Sequence, residues 1–302
     1  MTVIVNTGDD ESFFGLHISP DIDTVLYTLA GIVEPAQGWG RRRETWNCLG
    51  ELSRFYPESW FRLGDRDLAT HIFRTDRLRR GRSLSEITGS LAQAFGIRSH
   101  ILPMTDAPVR TVVTVAGKGP LAFQQYLVRD RGIGEVQRIV ARGANRARPA
   151  RGVIEAIRKA DLILLPPSNP FVSIGPILGL PGVRAALRRS NAPIVAVSPL
   201  IGGQPVKGPL HRMLYGLGHE VSALGVARLY ADFIDMFVLD RKDRSLADPI
   251  AALGVVPVVT DTLMSTPARS RRLARDILGA VQAAHERWLS PTAALAAARD
   301  SR

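Results

Sequence analysis

Apolar residues recur along the chain with two different periods. Short runs of β-branched and aliphatic residues, typical of buried strands, alternate with longer stretches in which an apolar residue recurs every three or four positions. The short runs predict strands at 2–6, 162–165, 193–197, 236–239 and 255–259. The longer stretches predict helices at 149–159, 176–189 and 267–283. Because strands that alternate with helices pair in parallel, the pattern predicts an α/β fold with a doubly wound, Rossmann-like and mostly parallel sheet.

The stretch between residues 40 and 150 departs from this regular alternation. Its periods predict helices at 45–55, 67–80 and 83–95, with Ser83 or Ser85 as the cap of the last, and strands at 110–115 and 121–128. We expect this stretch to be partly inserted, as an α+β cap, into a single Rossmann-like domain of residues 1–290. The Ala- and Arg-rich residues 291–302 are expected to form a disordered tail.

Neither a membrane span nor a signal peptide is predicted. The longest apolar runs are far shorter than the ~20 residues that cross a bilayer. The N-terminal residues carry acids where a signal peptide would have its basic and apolar segments. The single cysteine, Cys48, excludes an internal disulfide and fits a reducing compartment. Together these features predict a cytoplasmic protein.

The chain is strongly basic, with 39 Lys and Arg residues against 28 Asp and Glu residues and a formal net charge of +11. Such an excess favours anionic ligands, although a bias towards arginine codons explains it equally well. Nucleic acid is a poor candidate, because the chain has neither interleaved aromatic residues nor a recognised binding motif. No Lys or Arg precedes Arg41, whereas several acidic residues do. This acidic start of a basic chain indicates a cation site.

Four aspartates follow the first predicted strand or lie at the start of the first predicted helix, whose apolar face is Val25, Leu26, Leu29 and Ile32. The four aspartates are Asp9, Asp10, Asp21 and Asp23. Loops after the strands of a doubly wound sheet form its ligand crevice, where four carboxylates would repel each other without a cation. Oxygen ligands of this kind suit Mg²⁺. The alternative is that Asp21 or Asp23 merely caps the helix while Asp9 and Asp10 lie in a turn.

Acids and arginines alternate along the segment that begins at Gly64. Within it Asp67, Thr70, His71 and Arg74 recur at three- and four-residue spacing and therefore share one helix face. A polar binding face and a solvated ion-pair face are equally compatible with this spacing.

Two loops that follow predicted strands carry residues suited to anion binding. In the first, prolines restrict the backbone while Ser168, Asn169 and Ser173 offer polar groups near a helix start. In the second, two glycines allow close backbone approach and Lys207 supplies a positive charge. An ordinary strand-to-helix connection is the alternative for each loop. The sequence has no P-loop, zinc motif or serine nucleophile elbow, which excludes these chemistries.

Five motifs recur in combination in one known family. They are Asn6-Thr-Gly-Asp-Asp, Ser19-Pro-Asp-Ile-Asp-Thr-Val-Leu-Tyr-Thr-Leu, Gly64-Asp-Arg-Asp-Leu-Ala, Pro167-Ser-Asn-Pro with Ser173-Ile-Gly-Pro-Ile-Leu, and Ser198-Pro-Leu-Ile-Gly-Gly. Together they resemble the 2-phospho-L-lactate transferases of deazaflavin coenzyme (factor 420) biosynthesis. The resemblance covers about residues 1–283.

This resemblance implies a Mg²⁺-dependent transferase. The family moves a 2-phospholactate or phosphoenolpyruvate unit from a guanosine diphospho donor to the side-chain hydroxyl of 7,8-didemethyl-8-hydroxy-5-deazariboflavin, and releases GMP. A non-catalytic, nucleotide-sugar-binding regulator of the same fold is the alternative. The resemblance leaves the oligomeric state open, a homodimer included.

The resemblance also implies roles for individual residues. The residues expected to hold Mg²⁺ are Asp9, Asp10, Asp21 and Asp23, with Asp9, Asp10 and Asp23 as the catalytic ones. The residues expected to contact the deazaflavin are Asp21, Asp65, Arg66, Asp67 and Arg74. The residues expected to contact the guanosine donor are Ser168, Asn169, Pro170, Ser173 and Lys207.

The family pattern begins with an earlier strand and a glycine-rich phosphate loop. Neither is found before Asn6 in this sequence. Because such a loop donates backbone N–H groups to phosphates, we expect this chain by itself to bind the guanosine nucleotide scarcely and the deazaflavin weakly.

Overall fold

Parallel strands with helical connections form the framework of the chain in a computed structural model that describes residues 1–56 and 60–289. The mixed α/β class and the parallel pairing expected from the sequence are confirmed. The backbone divides into two compact units. The first comprises residues 1–159, 169–189 and 208–218, and the second comprises 160–168, 190–207 and the chain from 219 onward. The expected tail at 291–302 lies outside the described residues.

A pair of parallel strands begins the first unit. Strand β1 (Thr2–Val5) pairs with β4 (His100–Pro103). Between them lie the hairpin β2 (Glu11–Phe13) and β3 (Leu16–Ile18) and the helices α1 (Pro20–Leu29), α2 (Asn47–Leu52), α3 (Asp65–Arg79) and α4 (Leu84–Ala94). The three helices that periodicity predicts in this region are thus confirmed within a few residues at each end.

Apolar side chains from α1 and α4 pack against β1 and β4. Val5, Ile22, Leu26, Ile87 and Ile101 are buried in one cluster. Burial of each large aliphatic side chain contributes roughly 1.5–3 kcal/mol. This packing holds α1 beside the loop that follows β1.

The N-terminal ends of α4 and α1 show which residues cap these helices. Ser83 caps α4 in a capping box with Glu86, so Ser83 rather than Ser85 is the cap. Ser19 stands at the N-cap of α1, while Asp21 and Asp23 lie within its first turn. The alternative in which one of these two aspartates caps the helix is therefore wrong.

An antiparallel sheet follows in the same unit. Strand β5 (Arg110–Val115) lies between β6 (Gly119–Ala122) and β7 (Val136–Arg142). The strand predicted at 121–128 is wrong beyond its first two residues, because the chain forms a π-helical turn at Gln125–Arg129. Tyr126 in this turn is fully buried and its hydroxyl donates to the carbonyl of Gly132 at 3.0 Å.

Four short helices and a second π-helical turn complete the first unit. They are α5 (Val153–Arg158), the turn Pro170–Ile174, α6 (Gly175–Leu178), α7 (Val183–Arg188) and α8 (Leu210–Gly216). The single helix predicted at 176–189 is wrong. It is divided into two because Gly182, before α7, has a left-handed φ of 86°.

The second unit contains a four-stranded parallel sheet. Its strands are β8 (Ile163–Leu165), β9 (Ile194–Val197), β12 (Met236–Asp240) and β13 (Val256–Thr260), and they lie in the order β13-β12-β9-β8. The other elements are the short strands β10 (Leu200–Ile201) and β11 (Gln204–Pro205), the 3₁₀ helix Arg241–Leu246, and the helices α9 (Ala223–Tyr230), α10 (Ala247–Ala251) and α11 (Pro267–Leu289). All four strands predicted for this half of the chain are confirmed.

The two units do not follow the boundaries expected for an inserted cap. Residues 40–150 belong to the first unit together with residues 1–39. A single domain of residues 1–290 with a cap at 40–150 stays a prediction. Within the described residues, no helix combines the length and the hydropathy that a bilayer crossing requires.

Candidate active site

Asn6, the first residue after β1, organises the acidic loop. Its side-chain Oδ1 accepts a hydrogen bond from the backbone nitrogen of Gly8 at 2.8 Å. Its Nδ2 donates to Asp21 Oδ2 at 2.8 Å and to the carbonyl oxygen of Val172 at 3.1 Å. One buried amide thus joins the loop, the start of α1 and the second π-helical turn, which brings Asp21 next to the loop.

Asp9 is a buried carboxylate of the loop that follows β1. Burial raises its pKa well above the usual range, and the charge of Asp21 raises it further. The Thr111 hydroxyl opposes this rise. Even so, Asp9 Oδ1 and Thr111 Oγ1 complete no hydrogen bond with any group in the described part of the chain. A buried carboxylate oxygen without a donor is costly, which points to a cation or a substrate hydroxyl as its partner.

Strand β5 contacts the loop that follows β1. The backbone nitrogen of Thr111 donates to the carbonyl of Gly8 at 2.6 Å. A Cβ atom at Gly8 would lie 2.6 Å from Thr111 Oγ1 and 3.2 Å from Pro176 Cβ. The close approach of these backbones therefore requires glycine at this position.

Asp10 is hydrogen-bonded within the first unit. Its Oδ2 accepts from Ser19 Oγ and contacts His17 Nε2, both at 2.9 Å. The hairpin β2–β3 brings His17 to this position. Asp10 therefore has partners for one oxygen while it adds negative charge beside Asp9 and Asp21.

Asp21 is half-buried at the start of α1. Burial raises its pKa to about 6, the hydrogen bond from Asn6 opposes the rise, and the charge of Asp10 adds to it. Asp9, Asp10 and Asp21 therefore form one group of mutually repelling carboxylates, which we call the acidic cluster.

Asp23 belongs to a different group. Arg74 Nη1 donates to Asp23 Oδ2 at 3.1 Å, and Arg74 Nη2 contacts Oδ1. Burial raises the pKa of Asp23, and the charge of Arg74 opposes this rise. The guanidinium occupies both carboxylate oxygens, so the structure does not join Asp23 to the acidic cluster as the sequence led us to expect.

The remaining members of this second group come from α3. His71 lies between two carboxylates, with Nδ1 at 3.6 Å from Asp23 Oδ2 and Nε2 at 3.4 Å from Asp67 Oδ2. Tyr27 donates to Asp67 Oδ1 at 2.6 Å. We call Asp23, Asp67, His71 and Arg74 the ion-pair network. Because Thr70, His71 and Arg74 are buried, the alternative of a solvated ion-pair face is wrong.

Ligand atoms of Asp23, Asp67 and His71 lie within 4.8 Å of one another, a spacing that could hold a metal ion. Arg74 Nη1 is 3.2 Å from His71 Nδ1. A guanidinium only donates, so Nδ1 accepts and the ring proton is on Nε2, facing Asp67. The positive charge of Arg74 offsets that of Asp23 and its guanidinium occupies both oxygens of that carboxylate, which disfavours a cation there.

The two other residues expected on the deazaflavin side have different surroundings. Asp65 accepts hydrogen bonds from Thr45 Oγ1 at 2.6 Å and from the backbone nitrogens of Asn47 and Cys48 at the start of α2. The hydrogen bond from Thr45 is the largest of the causes that lower the pKa of Asp65 to about 2. Asp65 therefore joins α2 to α3, while Arg66 is exposed.

The residues expected on the guanosine side are divided between the two units. Asn169, Pro170 and Ser173 belong to the first unit, whereas Ser168 and Lys207 belong to the second. Asn169 Oδ1 accepts from the backbone nitrogen of Phe171 at 2.9 Å and caps the π-helical turn. Its Nδ2 contacts Met213 Sδ at 3.2 Å. The side chain of Asn169 thus has a structural role in the loop.

Some site residues carry no sequence signal. Thr111 follows the acidic loop by about a hundred residues, and its place on a predicted strand gave no hint of Asp9. His17 and Ser19 lie close to Asp10 in sequence, but the hairpin that folds them back was not predicted. Asn6 stood within a recognised motif, and its role in joining three segments became visible only in the fold.

Comparison with solved structures gives the same fold class. A member of the UPF0052 family from Bacillus halodurans matches with a TM-score of 0.58, over 90% of this chain and 90% of that chain. The two sequences are 16% identical, so this likeness concerns the fold alone.

Sequence relatives define the family. The family model for 2-phospho-L-lactate transferase CofD matches residues 1–277. A phosphoenolpyruvate transferase from Kitasatospora aureofaciens is 43% identical over 284 residues, 92% of this chain and 88% of the relative. A 2-phospho-L-lactate transferase from Methanosarcina acetivorans is 42% identical over 279 residues, 92% of this chain and 90% of the relative.

The α/β fold and these relatives place the chain among transferases. It belongs to the 2-phospho-L-lactate transferase CofD family. It is an enzyme of the 2-phospho-L-lactate transferase type, which replaces the alternative of a non-catalytic regulator.

Proposed function

We propose that this chain transfers a 2-phospholactate or phosphoenolpyruvate unit from a guanosine diphospho donor to the side-chain hydroxyl of 7,8-didemethyl-8-hydroxy-5-deazariboflavin. The hydroxyl oxygen forms a bond to the phosphorus that carries the organic acid. The bond from that phosphorus to GMP breaks, and GMP leaves. The names of the relatives support both donors. The reaction would belong to deazaflavin coenzyme biosynthesis in the cytoplasm.

The observation that carries this proposal is the acidic cluster. Asp9, Asp10 and Asp21 raise the free energy of the folded state by mutual repulsion and burial. An assembly of that kind is retained where it has a ligand, since perturbed carboxylates concentrate at functional sites. A divalent cation, bound together with a diphosphate donor, would offset the negative charge of the cluster.

The donor set of the cluster fits Mg²⁺. It offers only oxygen ligands, and Asp9 Oδ1 is buried without a hydrogen-bond partner in the described chain. Asp9, Asp10 and Asp21 would hold the ion. Asp23 does not fit as a ligand while Arg74 occupies both of its oxygens. Bound Mg²⁺ would withdraw charge from the transferring phosphoryl group and from the attacking hydroxyl.

The protein itself would orient the reacting groups. Asn6 fixes Asp21 through its Nδ2, and Ser19 fixes Asp10. A carboxylate oxygen of the cluster would accept the proton of the attacking hydroxyl. The ion-pair network would hold α3 against α1, so that the cluster keeps its geometry.

The donor side rests on the two loops. We propose that Ser168, Asn169, Pro170, Ser173 and Lys207 contact the guanosine diphospho group. The hydroxyls of Ser168 and Ser173 and the ammonium of Lys207 would make the polar contacts, since the backbone N–H groups of Ser168 and Ser173 donate within the loop and the Asn169 side chain caps its own turn.

Transfer is tested directly with the full chain, Mg²⁺, the deazaflavin and each of the two guanosine donors. Mass spectrometry should detect the phosphorylated deazaflavin, and chromatography should detect an equal amount of GMP. Neither product with either donor would show that the proposed reaction is wrong.

A substitution of Asp9 tests the role of the cluster. Asp9→Asn keeps the size of the side chain but removes a hard anionic ligand, so turnover should fall by about a hundredfold or more while the fold is retained. Asp161→Asn, an exposed aspartate in the second unit, is the matched control and should act like the parent. Equal turnover for both variants at saturating Mg²⁺ would exclude Asp9 from the site.

A further inference from the structure

The antiparallel sheet of the first unit has one buried face and one open face. Along β5 the side chains alternate between the two: Val113 and Val115 are buried in an apolar cluster, whereas Arg110 and Val112 belong to the open face. On β7, Ile139 packs against the same cluster. The residues of β7 that lie exposed on the open face are Arg138, Val140 and Arg142.

The register of β5 and β7 brings arginines together on this open face. Arg110 lies directly opposite Arg142, and Arg138 lies two residue pairs further along the sheet. Like charges that are directly opposite on neighbouring strands destabilise a sheet. The turn that follows β7 adds two more exposed arginines, Arg146 and Arg148. We call these five residues the arginine face.

Specific backbone contacts hold the turn that carries the last two arginines. Gly143 has a left-handed φ of 91°, and a Cβ atom there would lie 2.8 Å from the carbonyl oxygen of Pro108. The backbone nitrogen of Arg146 donates to the carbonyl of Gly143 at 3.1 Å. Thr105 Oγ1 donates to the carbonyl of Arg148 at 2.6 Å. The fold therefore fixes where these arginines leave the backbone.

No carboxylate compensates the arginine face. Strands β5, β6 and β7 contain neither Asp nor Glu, and none occurs between residues 136 and 154. Within residues 1–56 and 60–289, none of the five arginines forms an ion pair. In contrast, the exposed Arg80 pairs with Asp76 and the exposed Arg82 pairs with Glu86, each at 3.0 Å. Uncompensated positive charge on one face favours an anionic partner.

Protection of a sheet edge explains only part of the arginine face. Strand β7 lies at one edge of its three-stranded sheet, and charged side chains on an edge strand hinder pairing with other chains. This role accounts for Arg138 and Arg142. It does not account for Arg110, which lies on the central strand, or for Arg146 and Arg148, which lie beyond the end of β7.

The composition of the open face favours a lipid surface among anionic partners. Strands β5, β6 and β7 contain no Phe, Tyr or Trp. Aromatic side chains provide the stacking platforms for single-stranded nucleic acid and anchor many protein–protein interfaces. The open face instead combines spread arginines with short side chains such as Val112 and Val140. Basic side chains distributed in this way are attracted by the headgroups of an anionic bilayer.

We propose that the arginine face binds the phosphate headgroups of an anionic membrane and holds the enzyme at the lipid surface. This contact is peripheral and electrostatic, so it requires no helix that crosses the bilayer and it weakens as salt is added. It does not depend on the proposed reaction. The arginine face lies on the opposite side of β5 from the side chain of Thr111, the residue of that strand beside the acidic loop.

Co-sedimentation of the full chain with lipid vesicles provides the test. Vesicles of phosphatidylglycerol and phosphatidylcholine should bind the parent protein, with an affinity that falls as salt is added, and vesicles of phosphatidylcholine alone should not. The double variant Arg138→Gln, Arg142→Gln should bind the anionic vesicles about 25-fold more weakly, since one basic side chain near such a surface contributes roughly a factor of five. Arg138→Lys with Arg142→Lys keeps the charge and should bind much like the parent.

A matched control separates the arginine face from net charge. Arg80→Gln with Arg82→Gln removes the same charge from two exposed arginines of the same unit that lie outside the arginine face. This variant should bind the anionic vesicles like the parent. Circular dichroism melting of each variant confirms that it is folded, as expected for substitutions of exposed side chains.

Three results would overturn the inference. The first is a folded parent chain that does not bind the anionic vesicles. The second is an equal loss of binding in the two glutamine double variants, because net charge would then explain the binding. The third is tighter binding to poly-L-glutamate or to duplex DNA than to the vesicles at the same salt concentration, with the same dependence on Arg138 and Arg142. That result would assign the face to a protein or a nucleic acid. Vesicle binding is measured without donor or acceptor, so failure of the transfer assay leaves this test unchanged.

Discussion

Two buried aspartates of the first unit have opposite surroundings. Burial raises the pKa of both Asp9 and Asp23. Asp23 is compensated by the two terminal nitrogens of the Arg74 guanidinium, whereas Asp9 faces the like charges of Asp21 and Asp10 and only neutral side chains, those of Thr111 and Asn6, oppose the rise of its pKa. The pairing of Asp23 with Arg74 stabilises the fold. The uncompensated charge of Asp9 favours the binding of a ligand. A residue type and its position in the sequence do not distinguish them.

Arg74 should be among the most sensitive residues for stability. Arg74→Met leaves Asp23 buried without its partner, which typically costs about 3–5 kcal/mol in the free energy of unfolding. Urea unfolding of the full chain measures this value. Arg80→Met, an exposed arginine after the end of the same helix, is the control and should change stability by less than about 1 kcal/mol. An equally small effect for Arg74→Met would contradict the ion-pair network.

Gly8 should be intolerant of a side chain. The Cβ atom of Gly8→Ala would meet Thr111 Oγ1 at 2.6 Å, so the loop or β5 must shift, at a cost of about 1–3 kcal/mol. Because the shift displaces Asp9, turnover should fall as well. Gly50→Ala is the control, since a Cβ there meets nothing within 4 Å. Chemical unfolding and a turnover assay measure the stability and activity of both variants. Equal stability and turnover for Gly8→Ala and Gly50→Ala would show that the close approach of Thr111 does not require glycine at position 8.

At the scale of elements, α3 depends on residues that precede it. Glu44 accepts from the first backbone nitrogens of the helix. A Cβ atom at Gly64 would lie 1.8 Å from Glu44 Cγ, so glycine is required for this cap. The helix then presents Asp67, His71 and Arg74 inward at the expected spacing. Glu44, which lies about twenty residues before α3, therefore helps to fix where the helix begins. The apolar periodicity within α3 gives no information about this acid.

Helix α4 offers a test of intrinsic propensity. Gly89 lies exposed in its interior, and a Cβ there would meet nothing within 4 Å. Gly89→Ala should therefore stabilise the chain by about 0.5–1 kcal/mol, since alanine loses less backbone entropy in a helix. Thermal and urea unfolding measure the change. Ser83→Ala, which removes the cap of the same helix, should destabilise by about 1 kcal/mol. A Gly89→Ala variant less stable than the parent would contradict this account.

At the scale of the whole molecule, charge is distributed unevenly. The net charge is +11, yet the site concentrates carboxylates from the loop after β1 and from the start of α1. All members of the acidic cluster belong to the first unit. The chain therefore concentrates negative charge in one place within a basic protein, a pattern that favours a cation at that place and anions around it.

Stability should consequently depend on pH and Mg²⁺ together. The pKa of Asp21 is raised from 3.8 to about 6, so the folded state binds more protons than the unfolded state within that window. Without metal, stability should therefore fall as the pH rises from about 4 to about 6. Mg²⁺ competes with those protons, so it should raise the melting temperature by about 2 °C or more at pH 7.5 and by less at pH 5.

Differential scanning fluorimetry at matched ionic strength measures both effects. Asp9→Asn should lose most of the Mg²⁺ response, and Asp161→Asn should keep it. A melting temperature that Mg²⁺ changes equally at both pH values, or equally in both variants, would be inconsistent with a metal site in the acidic cluster.

The sequence determined those features that depend on local periodicity and on short motifs. Alternating runs predicted the four strands of the second unit, the helices α1, α3 and α4, and the α/β class, because burial on one face imposes a period on the chain. Five motifs indicated the family, and the same motifs contained Asn6, Asp9, Asp10 and Asp21. The prediction of a strand at 121–128 was wrong beyond its first two residues, because a buried aromatic residue such as Tyr126 can lie in a π-helical turn as well as in a strand.

Only the tertiary structure decided which of these residues meet. It separated Asp23 from the acidic cluster, because Arg74, about fifty residues later, occupies its oxygens. It brought Thr111 to Asp9 and capped α3 with Glu44. Pairing of charges and burial of carboxylates depend on distances across the fold. Residue spacing along one helix or strand does not encode those distances, so the sequence supplied the chemical groups and the fold assigned their partners.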